Sequence, residues 1–141
     1  MNRLYPYILF ASILLTPSVS CKKYIQQQEQ NAALSIMTDG YWYVSGYKQN
    51  TTDITASFSG YLFKFAADNT VTGTVGTSSV TGQWSDNIFA RTITANFPGA
   101  GQPLVNLNAT WTITDSYTDS VSARTTDTVN HVTDYLQLKK Q

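Results

Sequence analysis

Val105-Asn106-Leu107-Asn108-Ala109-Thr110-Trp111-Thr112-Ile113 alternates without a break: the odd positions are apolar, and Asn106, Asn108, Thr110 and Thr112 are polar. Successive side chains of an extended backbone point to opposite faces, so strict alternation over this length predicts a strand with one face in a core and one in water. Helical spacing accounts for none of it. The stretch predicts a β protein.

Outward from this stretch, Tyr41 to the C-terminus is dense in Thr, Val, Ile, Tyr, Phe and Trp, which fit a pleated, half-buried surface. Ile54, Ala56 and Phe58 stand at even positions, then Tyr61, Phe63 and Phe65 at odd ones. A change of parity reverses the buried face of a strand, so a β-bulge or sharp bend is expected at Ser59-Gly60. Shorter strands are expected over Tyr41–Lys48, Thr70–Val75, Val80–Ser85, Arg91–Phe97, Ser120–Arg124 and Thr133–Lys139. Asp68-Asn69, Gly76-Thr77-Ser78-Ser79, Asp86-Asn87 and Pro98-Gly99-Ala100-Gly101 supply turn chemistry between them. About eight short strands at regular spacing suggest an antiparallel sandwich or an up-and-down barrel, and only the closed barrel leaves no edge unpaired.

The N-terminal 21 residues carry a different signal. Arg3, an apolar run from Leu4 to Leu15, and Thr16-Pro17-Ser18-Val19-Ser20 have the pattern of an export signal, too short to span a membrane as a helix. Residues 1–20 are expected to be removed. Cys21, the only cysteine, then becomes the first residue. Val19-Ser20-Cys21 resembles the lipobox of bacterial lipoproteins, with Ser18 where Leu is usual. That resemblance implies a diacylglycerol on the Cys21 sulfur and fatty acyl chains such as palmitate as the membrane anchor. Lys22 differs from the Asp that retains lipoproteins at the inner membrane, so the expected location is the outer membrane, facing the periplasm or the surface. Residues 21–38 are expected to form a polar, Gln-rich tether or short helix, and 39–141 the barrel domain.

With Arg3 removed, eight basic residues face nine acidic ones. Near-neutrality without a basic stripe argues against nucleic acid as a partner. With Cys21 acylated no disulfide is available, and the domain must be held by its core and its ladders.

Gly40-Tyr41-Trp42, following a short helical stretch, resembles the Gly-x-Trp motif that opens lipocalins, where the Trp closes one end of the barrel beneath the N-terminal segment. Phe58-Ser59-Gly60-Tyr61-Leu62-Phe63-Lys64-Phe65, Asp68-Asn69-Thr70-Val71, Gly82-Gln83-Trp84, Leu107 to Trp111 and Leu136-Gln137-Leu138 extend the similarity to small lipocalin-like lipoproteins of gram-negative bacteria. It covers about Gly40 to Lys139. It implies an all-β, antiparallel, about eight-stranded up-and-down barrel preceded by a short N-terminal helix or tether. The pattern departs from the family near the C-terminus. Thr133-Asp134-Tyr135 spells the second lipocalin motif, yet only Leu136 to Gln141 follow it. The third motif's Arg and the C-terminal helix are missing.

His131, the single histidine, lies between Asp127 and Asp134 in a polar stretch and is read as an exposed loop residue. No nucleophile elbow, phosphate loop, dinucleotide fingerprint or clustered metal ligands occur in the sequence. Neither catalysis nor a metal or cofactor is expected. Trp42, Phe58, Phe63, Phe65, Trp84, Phe97 and Trp111 are the candidate interior residues. They either line a pocket for a small hydrophobic ligand or fill the barrel themselves, since eight strands enclose room for side chains or one small ligand. The two resulting expectations are ligand capture in the interior, and a packed barrel working through its outer surface as an envelope scaffold or an inhibitor of an exported enzyme. Tyr41, Tyr43 and Tyr47 are read as an outward set suited to a glycan or a protein partner. Asp119-Ser120-Val121 and Asp127-Thr128-Val129 resemble a bacterial O-glycosylation acceptor.

Overall fold

A computed structural model describes residues 19–141. The export signal therefore lies almost wholly outside the described residues, as does the Cys21 side chain. Helix α1 (Val19–Thr38) is followed by β1 (Trp42–Gln49), the two-residue β2 (Thr52–Asp53), β3 (Leu62–Phe65), β4 (Thr70–Val75), β5 (Ser78–Asn87), β6 (Thr92–Asn96), β7 (Ala109–Ser116), β8 (Ser120–Asp127) and β9 (Val132–Lys140). Consecutive strands from β3 to β9 pair antiparallel, and β1 pairs with both β9 and β3. Eight strands thus close into an up-and-down barrel preceded by a helix, with β2 a small ribbon hooked onto the far end of β1.

The seam between β1 and β3 is the thin one, with a single paired position, Trp42 opposite Phe63. The chain from Ile54 to Tyr61 bridges the remaining gap across one end of the barrel. The clearest alternation behaves differently in its two halves. Ala109, Trp111 and Ile113 face inward on β7 as expected, but Leu104–Leu107 is a 3-10 turn. At that spacing residues i and i+3 share a face, so Leu104 and Leu107 are both buried while Val105 stays exposed. Ile54–Phe58 is also corrected: Thr55–Phe58 is a 3-10 turn, started by Asp53 Oδ1 accepting from the Thr55 amide at 2.9 Å. The parity change at Ser59-Gly60 is therefore the exit from a helical turn, with Gly60 at φ +80°, rather than a bulge within a strand.

The bulge lies instead in β1, between Val44 and Gly46. Its extra residue reverses the inward face, so Trp42 and Val44 point in, and so does Tyr47. Tyr47 is fully buried, whereas Tyr41 and Tyr43 are exposed, which removes Tyr47 from the outward set. Asp86-Asn87 belongs to β5, and the turn falls after it at Ile88–Arg91, with the Arg91 amide bonded to the Ile88 carbonyl.

The inner face is apolar along most of its length, and among the described residues no polar or charged residue is fully buried. Outside, the abundant threonines pair across strands: Thr94 with Thr110 at 2.8 Å, Thr126 with Thr133 at 3.2 Å, Thr74 with Ser79 at 3.1 Å. Such cross-strand hydroxyl pairs add to the ladders that hold a sheet with no disulfide. At Gly82 a Cβ would collide with the Asn96 carbonyl oxygen and the Phe97 ring. Gly82 is thus what lets Phe97 lie flat on the backbone of β5.

Candidate functional site

The barrel has two ends. One carries the C-terminus of α1, the start of β1 and the turns β3–β4, β5–β6 and β7–β8. The other carries the two 3-10 turns and the remaining loops.

Each tryptophan fastens the barrel to a neighbouring segment through its indole N–H. Trp42 Nε1 donates to the Met37 carbonyl at the end of α1 at 3.0 Å, Trp84 Nε1 to Ala66 at 2.9 Å, and Trp111 Nε1 to Leu107 at 3.1 Å. All three donors are thereby spent within the protein. The phenylalanines stack among these rings: Phe65 meets Trp84 edge-on at 5.3 Å, Phe63 meets Phe97 at 6.3 Å, and Phe58 stacks on Tyr47 at 5.3 Å.

Of the seven candidate interior residues, the structure brings Phe63, Phe65, Phe97 and Trp111 to the wall of one central void; Trp42, Phe58 and Trp84 do not border it. The void measures about 40 Å³ and its lining is almost wholly apolar. Ligand pockets run to roughly 300–1,000 Å³, and an apolar cavity of this size stays dry. The interior is filled by its own side chains.

The end remote from α1 is plugged by Phe58, Leu104 and Leu107, all buried, around Tyr47. The Tyr47 hydroxyl lies 2.7 Å from the Asn106 carbonyl and 3.1 Å from Asp134 Oδ2. Burial pushes the Tyr47 phenol well above the ordinary tyrosine range, and the Asp134 carboxylate adds to the shift. Asp53, Asp68 and Asp127 titrate below the usual carboxylate range because each accepts side-chain bonds, from Thr55, Thr70 and Asn130 respectively. These three are exposed turn residues, and their shifts reflect turn formation rather than a reactive centre.

His131 is exposed in the β8–β9 turn at φ +55°. Among the described residues no three His, Cys, Asp or Glu side chains gather as a metal site, and no helix is long and apolar enough to cross a membrane. Of the two acceptor-like triplets, Asp127-Thr128-Val129 lies in an exposed turn, whereas Val121 of the other is buried.

One inward-pointing group escaped the sequence reading. Gly82 and Trp84 face inward on β5, and by the same period Asp86 does too, at the α1 end. Its Oδ2 is sealed from solvent and has no hydrogen-bond partner. The signal was present in the parity of β5, but Asp-Asn read as a turn.

This architecture defines a class: a small, helix-fronted, closed eight-stranded antiparallel barrel with a packed interior. Within it, the chain is similar in fold to a DUF4847 family protein from Bacteroides vulgatus ATCC 8482, known from a crystal structure at 1.00 Å resolution. The two share 18% sequence identity and superpose with a TM-score of 0.53, over 77% of this chain and 99% of the other. No protein-family model and no curated protein matches the chain.

Proposed function

We propose that this protein is a non-catalytic, lipid-anchored component of the bacterial outer membrane, held by acyl chains on Cys21 and acting through the outside of its barrel as an envelope scaffold or an inhibitor of an exported enzyme. The observation that favours the outer surface over ligand capture in the interior is the central void of about 40 Å³. α1 suits the anchored arrangement. Residues 22–32 are exposed on every side, and only its C-terminal turns reach the barrel. From Lys22 to Thr38 the helix spans about 25 Å at 1.5 Å per residue, a spacer between an acylated Cys21 and the domain.

The test is photo-crosslinking in the native envelope from outward strand positions, Tyr43 and Tyr135, both exposed. A discrete adduct with one envelope protein is expected. Absence of any protein adduct, together with a lipid retained inside the purified barrel, would overturn the reading in favour of interior capture.

A further inference from the structure

At the α1 end, helix and turns do not meet completely. They leave a half-enclosed cleft of about 280 Å³, lined mainly by apolar side chains that include Ala33, Ile36 and Met37 of α1, Ile88 of the β5–β6 turn and Ile113 of β7. Ile93 and Val121 form its floor and separate it from the central void, since both border the two spaces. Asp86 lies in its wall, directly opposite Ile93 in the β5–β6 register.

The cleft and the carboxylate are independent observations that point the same way. A carboxylate oxygen withdrawn from water needs a donor, and buried acceptors in folded proteins almost always have one. Asp86 Oδ2 has none, and among the described residues no lysine or arginine forms an ion pair with Asp86. A cation that enters the cleft supplies that donor, and the rest of the wall it meets is mainly apolar, with Asn87, Thr92, Ser116 and Thr118 adding polar atoms at its edge.

We propose that this cleft is a small-molecule site for primary amines with an apolar body, the ammonium group pairing with Asp86 and the hydrocarbon lying against Ala33, Ile36, Ile88 and Ile113. The site is separate from the barrel interior and goes beyond the surface reading above. A charge-assisted hydrogen bond is stronger than a neutral one, so the head group discriminates between ligands of the same hydrocarbon length. Anions are repelled by the same oxygen.

The experiment uses residues 22–141, which hold the whole barrel core and the α1 residues of the cleft, and measures binding of decylammonium, decanol and decanoate by calorimetry below their micellar concentrations. Decylammonium is expected to bind at least tenfold more tightly than decanoate, with decanol between them. Asp86→Asn should lose about tenfold for decylammonium and leave decanol unchanged, and Ala33→Trp, which fills the cleft, should abolish all three. Equal binding of the amine and the acid, or amine binding indifferent to Ala33→Trp, overturns the proposal. Circular dichroism checks that both variants fold. If Asp86→Asn does not, the amine–acid ratio of the natural sequence and the Ala33→Trp result decide between them.

Discussion

The indole Nε1–H of Trp42 donates to the carbonyl oxygen of Met37 at 3.0 Å, and this bond joins α1 to the barrel. Met37 is one of the last residues of α1, where carbonyls lack partners inside the helix. Lys64 completes the joint from β3, its Nζ donating to the Thr38 carbonyl at 2.7 Å and to that of Gly40 at 3.1 Å. A cation at a helix C-terminus also complements the helix dipole. The first strand, the third strand and the helix are thereby fixed to one another at a single corner.

Trp42→Phe keeps the ring and deletes the donor. A buried carbonyl without its partner costs about 1–3 kcal/mol, so the variant's unfolding midpoint in urea should fall by that much, with hydrogen exchange rising first in residues 33–38. Unchanged exchange there would mean that the bond does not hold the helix.

Gly82→Ala introduces a methyl group where the Asn96 carbonyl and the Phe97 ring already lie. Relief requires Phe97, which is 1% exposed, to leave its place on β5. A loss of about 1–3 kcal/mol is expected, the usual range for overpacking, measured by thermal or chemical unfolding. A stable Gly82→Ala protein would contradict the register of β5 against β6.

Tyr47 makes a pH prediction. The folded phenol keeps its proton above about pH 10, where the unfolded one loses it. Unfolding therefore releases a proton in that range, so the contribution of Tyr47 is complete below about pH 10 and declines as the pH rises towards the folded value. Urea titrations from pH 8 to 11 should show stability falling at the alkaline end. Tyr47→Phe should be weaker at neutral pH, with the Asn106 carbonyl left short of a donor, and should lack that part of the alkaline decline. An identical alkaline slope in both proteins would refute the assignment.

Cys21 is tested by metabolic labelling with palmitate. Label should follow the natural chain into the outer-membrane fraction and be missing from Cys21→Ala. Label on the variant, or none on the natural chain, would exclude the lipid anchor.

Much of the barrel was legible because inward and outward residues alternate along most strands. Thr70–Val75 was read to the residue, and all seven aromatic candidates are buried in the core. Two kinds of element were hidden. The 3-10 turns at Thr55–Phe58 and Leu104–Leu107 bury residues three apart, and over four residues that spacing can coincide with part of an alternating pattern. The bulge between Val44 and Gly46 has no residue signature strong enough to announce it, and it alone moved Tyr47 from outside to inside. The cleft was hidden for another reason. It is made by residues from α1, β5–β6 and β7–β8 that only closure of the barrel brings together, and Asp86, beside Asn87, looked like turn chemistry.

The barrel interior is filled by its own side chains, and methyl NMR tests this directly. Val71, Leu136 and Leu138 border the central void, whereas Ile36 and Ile88 border only the cleft at the helix end. Titration of residues 22–141 with a total lipid extract of the host envelope should leave the Val71, Leu136 and Leu138 methyl signals in place, whatever happens to Ile36 and Ile88. Shifts of those three interior methyls, with Overhauser contacts to a bound molecule, would show instead that the barrel opens to hold a ligand.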